Sequence, residues 1–171
     1  MFRRMNLIGV IVIFAAAVGA SAQSVNYTDP NVAYTFDFPN TTWRNVAKPD
    51  ELRGIAEFVY GDRMEGYLVI RKETVGADTT PSQLSQSDRN DKLHFLPGYV
   101  DGKEERFAGT LTGAIITYEF TQSGKAMMGM IYYLQADPRT IYSLRFTGLK
   151  DKVARIRNQT DLIARGFRLK S

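Results

Sequence analysis

The segment AIITYEFTQSGKAMMGMIYYLQADPRTIYSLRFT, residues 114–147, contains three consecutive β-strand patterns. We predict strands at 114–121, 126–134 and 140–147, because turn-forming residues fill the two joints between them. The middle strand is apolar on both faces, with Met127, Ile131 and Tyr133 on one and Met128, Met130, Tyr132 and Leu134 on the other. Such a strand belongs inside a sheet that is covered by a layer on each side.

A helical pattern follows these three strands. Its apolar stripe recurs at intervals of four and three residues: Leu149, Val153, Ile156, Thr160, Ile163 and Phe167. Asp151 is a suitable N-cap, and Gly166 is a suitable residue just beyond the C-cap. We therefore expect one amphipathic helix that packs firmly on the sheet.

The first half of the chain carries further patterns of both kinds. Additional strands are predicted at 34–38, 55–60, 66–73 and 103–108. A helix is predicted to begin after Thr80, because Pro81 suits the first helical position and Gln83 can close a capping box, and to run to about Leu96. Its apolar face is thin, so we expect it to be largely exposed. The elements together predict an α+β fold, an antiparallel sheet of about six strands flanked by helices on both faces (an α/β/α sandwich).

The stretch Tyr34-Thr35-Phe36-Asp37-Phe38-Pro39, followed by Trp43, resembles the aromatic strand, proline and tryptophan with which Mog1/PsbP-like domains often begin. The three strands of 113–147 and the closing Ile163-Ala164-Arg165-Gly166-Phe167 resemble the second half of the same family of α/β/α sandwiches. The resemblance covers nearly all of residues 23–171 and is to the secreted bacterial branch. It implies a non-enzymatic binding or accessory module and no particular ligand.

Residues 1–22 have the organisation of a secretory signal peptide. Two arginines precede a 12-residue apolar stretch at 7–18, and Ala20-Ser21-Ala22 supplies the small residues that a signal peptidase requires, so cleavage is predicted after Ala22. The apolar stretch is shorter than the roughly 20 residues that span a bilayer, so we expect no membrane anchor after cleavage. The alternative is a retained N-terminal anchor helix. The sequence thus predicts a signal peptide at 1–22, one domain at 23–171, and export to the periplasm or the medium.

The charge balance of the chain is nearly even. It has 22 Lys and Arg against 18 Asp and Glu, and loss of Arg3 and Arg4 with the signal peptide lowers the net charge from +4 to +2. Nucleic-acid-binding domains usually carry a strongly basic stripe, so no nucleic-acid partner is predicted. The basic residues near the C-terminus are interpreted as a solvated face, with a functional basic patch as the alternative: Arg155, Arg157, Arg165, Arg168 and Lys170.

Composition excludes several kinds of catalytic and metal site. The chain has no Cys and a single His, so thiol nucleophiles, disulfides, Cys-ligated zinc and multi-histidine centres are excluded. The sequence has no nucleophile elbow, P-loop or dinucleotide fingerprint, and we expect neither enzymatic activity nor a cofactor. Glu104 and Glu105 are adjacent on a predicted strand and point to opposite faces, so they cannot form one catalytic pair.

Two candidate metal sites remain. Asp88, Asp91 and His94 lie at i, i+3 and i+6 of the predicted helix, where two carboxylates and an imidazole could share a divalent ion. The alternative is a solvated helix face. Three methionines could supply thioether ligands for copper(I), but strand alternation separates the first from the other two and favours core packing: Met127, Met128 and Met130.

Aromatic residues are numerous, with nine Tyr and ten Phe. They are interpreted as the core and rim of the sheet, and a groove for a peptide, sugar or lipid is the alternative. The preferred functional hypothesis is an exported, non-enzymatic binding or accessory protein whose partner is another envelope or secreted protein. Two alternatives stay open: a carrier of a small apolar ligand in a sheet–helix pocket, and a cryptic hydrolase that uses His94 or scattered carboxylates.

Overall fold

The computed structural model describes residues 24–49 and 54–171, and the predicted signal peptide lies outside the described residues. The main sheet has seven antiparallel strands in the order β3-β4-β5-β9-β8-β7-β6. Their bounds are β3 Trp43–Ala47, β4 Ala56–Tyr60, β5 Asp62–Thr74, β6 Val100–Ala108, β7 Thr112–Gln122, β8 Lys125–Asp137 and β9 Thr140–Leu149. A smaller sheet, in the order β1-β2-β10, consists of β1 Val25–Thr28, β2 Tyr34–Phe38 and β10 Arg168–Leu169.

Helices lie on both faces of the main sheet. They are α1 Pro81–Asp91, a 3-10 helix at Leu93–Phe95, α2 Lys150–Arg155 and α3 Arg157–Gly166. The predicted α+β sandwich is confirmed, with one strand more in the main sheet than expected and a second small sheet beside it. Among the described residues, none of the helices is both long and apolar enough to cross a bilayer.

The predicted run of three strands is confirmed as β7, β8 and β9. The joint between β7 and β8 is a two-residue turn at Ser123 and Gly124, whose φ angles of 51° and 72° are those that a tight hairpin requires. Both faces of β8 are buried as predicted. Met130, Tyr132 and Leu134 belong to a large core, whereas Ile131 and Tyr133 belong to a second, smaller core on the other face.

The large core lies between the main sheet and a layer made of α2, α3 and the small sheet. Aromatic rings fill it, including those of Phe36, Phe58 and Phe167, which are fully buried. Trp43 is also buried, and its indole Nε1 donates a hydrogen bond to Oε1 of Gln159 on α3 at 3.0 Å. This bond ties the first strand of the main sheet to the closing helix.

The C-terminal helix differs from the prediction in its caps and its continuity. The apolar stripe is buried as expected, but the helix is interrupted at Ile156, so two helices carry it. The prediction of Asp151 as N-cap is wrong, because β9 runs directly into α2 and Leu149 occupies the cap position. The prediction for Gly166 is also wrong, since Gly166 is the last helical residue and Phe167 is the C-cap, in an extended conformation.

Helix α1 begins as predicted and is largely exposed, as expected. Thr80 and Gln83 form the capping box, with Gln83 N–H donating to Thr80 Oγ1 at 3.2 Å and Thr80 N–H donating to Gln83 Oε1 at 2.8 Å. The helix ends at Asp91 rather than near Leu96. The inner face of α1 is polar. The helix can cover the second core because its inward-pointing side chains form hydrogen bonds and salt bridges with residues of the sheet. Six of the eleven residues of α1 are exposed and two are buried, Ser85 and Asp88, so the expectation of a largely exposed helix is confirmed.

Candidate functional site

A groove lies on the α1 face of the main sheet, over the strands that α1 leaves uncovered. Helix α1 packs against β7 and β8, so the same face of β5 and β9 remains open. The groove has a volume of about 570 Å³ and is partly open to solvent. Its wall is the end of α1 and the segment after it, with Asp88, Lys92, Leu96 and Pro97 among the lining residues.

Strand register places two arginines on the floor of the groove. Arg145 of β9 is opposite Val69 of β5 on one side and Ile131 of β8 on the other. Arg71 of β5 is opposite Ser143, two residues from Arg145 along β9, so the two arginines are diagonal neighbours on one face. Diagonal neighbours in an antiparallel pair are typically about 7–8 Å apart.

The carboxylates that line the groove already have partners. Glu57 accepts a hydrogen bond from Tyr67 Oη at 2.5 Å and forms a salt bridge with Arg63 at 3.2 Å. Asp88, which is buried, accepts from Tyr133 Oη at 2.9 Å and forms a salt bridge with Lys92 at 2.6 Å.

The two floor arginines have no such partner. Within residues 24–49 and 54–171, no carboxylate lies within the 4.0 Å of a salt bridge from the guanidinium of Arg71 or Arg145. Glu73, two residues beyond Arg71 on the same face, instead accepts a hydrogen bond from Ser143 Oγ at 3.1 Å. Arg71 is exposed and Arg145 is half-buried, so both can be reached from solvent. The groove therefore presents two uncommitted positive charges.

Tyr67 and Tyr133 donate hydrogen bonds to carboxylates near the arginines, and Tyr118 is a third phenol, buried beside them. Burial, followed by the hydrogen bond to Glu57, raises the pKa of Tyr67 to about 12. Burial also raises the pKa of Tyr118 and Tyr133 above its ordinary value, and the nearby Arg145 opposes this shift in both. All three phenols therefore stay protonated at neutral pH.

A glycine allows an aromatic ring to lie across the groove floor. Tyr118 of β7 is opposite Gly129 of β8, and a Cβ added at Gly129 would overlap the Tyr118 ring. The ring therefore occupies the space that a side chain at position 129 would fill. Tyr118 is 2% exposed, so it forms a fixed apolar floor beside Arg145.

The residues of the predicted divalent-metal site are not brought together. Asp88 points into the second core and bonds Tyr133, whereas Asp91 accepts a hydrogen bond from Ser87 Oγ at 2.8 Å on the exposed side of α1. His94 lies in the 3-10 helix next to Phe95 and lines none of the three cavities described. In the part of the chain that the structure describes, no cluster of three or more His, Asp or Glu side chains is arranged to hold a metal ion.

The other side chains that the sequence singled out have structural partners. Glu104 pairs with Arg89 on α1 at 3.2 Å, whereas Glu105 pairs with Lys103 at 2.9 Å. Met130 is fully buried in the large core, as the packing interpretation of the methionines requires.

Most of the C-terminal basic residues form ion pairs on the surface. Arg155 pairs with Asp151, Arg165 with Asp161 and Arg168 with Asp37, at 3.2, 3.4 and 3.1 Å. Arg157 lies 4.0 Å from Glu105, and Lys170 donates a hydrogen bond to the carbonyl of Asp29. These partners agree with a solvated face.

Sequence reasoning did not identify Arg145 or Glu73 as site residues. Alternation along the predicted strand 66–73 puts Arg71 on the same face as Tyr67 and Val69, but no local pattern indicates that Arg145 lies beside it. The available signal was one charged residue, Arg145, inside the otherwise uncharged run Ile141-Tyr142-Ser143-Leu144-Arg145-Phe146. A charge in a strand with two covered faces points to an opening in one of the covering layers.

No protein-family model and no curated protein matches this sequence. Solved structures do match. The Ran-binding protein Mog1p of Saccharomyces cerevisiae has a TM-score of 0.61 at 7% identity, over 87% of this chain and 96% of its own. Cyanobacterial PsbP from Synechocystis sp. PCC 6803 has a TM-score of 0.58 at 13% identity, over 91% and 97%.

LpqN, involved in cell envelope biogenesis of Mycobacterium tuberculosis, is similar with a TM-score of 0.57 at 15% identity, over 87% of this chain and 91% of its own. Structural matches at identities this low show a shared architecture. They do not show that the present chain binds the ligands of these proteins. The matched lengths nevertheless cover nearly the whole of each structure. The fold predicted from the aromatic first strand, the three central strands and the closing helix is confirmed: this chain has the Mog1/PsbP-like fold.

Proposed function

We propose that this protein is an exported, non-enzymatic binding or accessory protein whose partner, another envelope or secreted protein, binds in the groove on the α1 face. The observation that carries the proposal is the pair of uncommitted guanidiniums, Arg71 and Arg145, on the floor of a partly open groove. Charged groups that folding leaves unpaired in a concave site are suited to a ligand's opposite charge.

Two half-buried aromatic side chains, Tyr67 and Phe120, add apolar contact area to the groove. Aromatic residues beside unpaired arginines have the composition of the centre of a protein interface, where Tyr, Phe and Arg are enriched. This favours a protein partner over a small molecule.

The solved relatives are compatible with this proposal. Mog1p is a Ran-binding protein, which is a protein-binding role on the same architecture. LpqN is involved in cell envelope biogenesis. The cell envelope is also a compartment to which the predicted signal peptide would direct this chain.

The two alternatives fit the groove less well. A carrier of a small apolar ligand needs an enclosed apolar pocket, whereas this groove is partly open and its lining contains three carboxylates and three cations: Glu57, Glu73, Asp88, Arg71, Lys92 and Arg145. A hydrolase that uses His94 would need the imidazole at a cleft, and His94 lies outside the groove lining.

Site-specific photo-crosslinking in the native host tests the proposal. A benzophenone amino acid replaces Gln122, an exposed residue at the rim of the groove, and in a control variant replaces Leu162, which is 56% exposed on α3 on the other side of the sheet. We expect one envelope or secreted protein to be crosslinked from position 122 and not from position 162. Absence of any crosslink from 122, or equal crosslinking from both positions, would contradict the proposal. A co-purifying small molecule in native mass spectrometry would favour the carrier instead.

A further inference from the structure

We infer that the groove binds an extended acidic segment of the partner protein, with carboxylates on alternate residues pairing with Arg71 and Arg145. This inference rests on the proposed function and specifies the chemistry of the partner.

Charge complementarity is the first argument. Each carboxylate of the lining has a hydrogen-bond or ion-pair partner within the groove, so the groups left to attract a ligand are guanidiniums. A guanidinium binds a carboxylate through two parallel N–H···O bonds, which are stronger and more directional than a neutral hydrogen bond. The half-buried position of Arg145 lowers the screening by solvent and strengthens the pair.

The shape of the groove is the second argument. Its lining follows β5 from Tyr67 to Glu73, which corresponds to about 20 Å of extended strand. A trough of that length accommodates about six residues of extended chain, and its open side suits a segment that continues in both directions. Residues i and i+2 of an extended chain are about 6.6 Å apart, close to the diagonal spacing of about 7–8 Å expected for Arg71 and Arg145.

Glu73 is the third argument, because it selects among anions. Its hydrogen-bond partner is the neutral hydroxyl of Ser143 and it lies in the same groove as the two arginines, so a phosphate with two charges meets more repulsion from it than a carboxylate with one. The half-buried rings of Tyr67 and Phe120 offer apolar surface to the side chains between the acidic positions.

The test is fluorescence anisotropy with a labelled peptide of alternating Thr and Glu, using the chain that begins after Ala22. The peptide is about eight residues long, so that it extends beyond the roughly six residues that the groove accommodates. The matched probe replaces every Glu by Gln. We expect the Glu peptide to bind at least about tenfold more tightly than the Gln peptide, and salt to weaken the binding. Arg71→Gln and Arg145→Gln should each weaken it about tenfold, whereas Arg155→Gln, on the opposite layer, should not change it.

A further variant, Arg145→Lys, keeps the positive charge at this half-buried position but removes the planar guanidinium that forms two parallel hydrogen bonds. We expect it to lose less affinity for the Glu peptide than Arg145→Gln loses. Circular dichroism confirms that each variant is folded. Equal binding of the Glu and Gln peptides, or unchanged binding by both Gln variants, would overturn the inference.

Crosslinking separates this failure from failure of the proposed function. If position 122 captures a partner in the wild type and equally in the Arg71→Gln/Arg145→Gln variant, the proposed function stands and the acidic-segment inference fails. If position 122 captures nothing in the wild type, the proposed function fails whatever the peptide measurements give.

Discussion

At the scale of single residues, the hydroxyl of Tyr133 donates a hydrogen bond that stabilises the buried carboxylate of Asp88. Tyr133→Phe removes the hydrogen bond to Asp88 and leaves that carboxylate, 7% exposed, with Lys92 as its partner in the groove wall. We expect a loss of about 1–3 kcal/mol in the free energy of unfolding, because a buried acceptor loses its donor. Urea unfolding followed by circular dichroism measures the loss.

The matched control for Tyr133→Phe is Ser87→Ala. It removes another hydroxyl–carboxylate bond on the same helix, from Ser87 Oγ to Asp91, but on the exposed side. Water replaces the lost donor there, so we expect a change below about 0.5 kcal/mol. Similar losses in the two variants would mean that the Asp88 carboxylate is not effectively removed from water.

Gly129 is the second residue on which the groove floor depends. Its φ lies outside the left-handed region, so the requirement for glycine is spatial: a Cβ would overlap the Tyr118 ring. We expect Gly129→Ala to destabilise the protein by about 1–3 kcal/mol through overpacking. Thermal or urea unfolding gives the value, and a double-mutant cycle with Tyr118→Ala should show that most of the cost disappears when the ring is absent.

Gly166→Ala is the matched control for this glycine. Gly166 is helical, and a Cβ added to it meets nothing within 4 Å. The substitution should leave stability unchanged or raise it by up to about 1 kcal/mol, because alanine has less conformational freedom in the unfolded chain. If Gly129→Ala were equally harmless, the Tyr118 ring would not lie across Gly129 as described.

At the scale of secondary-structure elements, the caps of α1 and α2 give opposite expectations. Thr80→Ala breaks the capping box of α1 and should cost about 1 kcal/mol of unfolding free energy. Asp151→Ala should cost less than about 0.5 kcal/mol, because Asp151 caps nothing and its ion pair with Arg155 is exposed. Urea unfolding of the two variants provides the comparison, and a larger loss for Asp151→Ala would restore Asp151 as a capping residue.

The same two helices show what local sequence can predict. The capping box was predictable because Thr80, Pro81 and Gln83 interact within one turn, independently of the rest of the fold. The caps of α2 were not, because the direct run of β9 into that helix leaves no residue free to cap it. The contacts of Ser85 and Asp88 with Glu104 and Tyr133 join distant segments, so the polar contacts that hold α1 on the sheet could not be predicted from its local pattern.

Strands β1 and β10 were not predicted, because they too depend on contacts with a distant segment of the chain. β1 is four residues long and mostly exposed, and β10 has two residues, so neither carries an alternating pattern. Both exist because they pair with β2, whose own pattern was evident from Tyr34 to Phe38. Pairing to a strong strand thus orders weak ones whose sequences alone indicate nothing.

At the scale of the whole molecule, the candidate site depends on strand order. Arg71 and Arg145 are neighbours because β9 inserts between β5 and β8. A local pattern predicts that a strand exists and which residues share its face, but not which distant strand lies beside it. The central strands, the first aromatic strand and the fold class were therefore predictable, whereas the groove required the assembled sheet.

The tyrosines supply a prediction for the molecule as a whole. Burial is the main cause that raises the pKa of eight of them above the ordinary value of 10.0: Tyr27, Tyr34, Tyr67, Tyr99, Tyr118, Tyr132, Tyr133 and Tyr142. A group whose pKa is higher in the folded state holds its proton more tightly there than in the unfolded chain. Its contribution to stability is fully present below pH 10 and is lost as the pH rises through the folded pKa.

We therefore expect these phenols to have little effect on stability up to about pH 9, and the fold to be lost cooperatively above pH 10. Tyrosinate absorbance and near-ultraviolet circular dichroism, followed together through an alkaline titration, measure both events. Most tyrosines should ionise together with the loss of tertiary signal, whereas in urea the same chain should titrate near the ordinary pKa of 10.0. If most phenols ionised near pH 10 while the tertiary signal persisted, water would reach their hydroxyls in the native state and the two cores would be open rather than sealed.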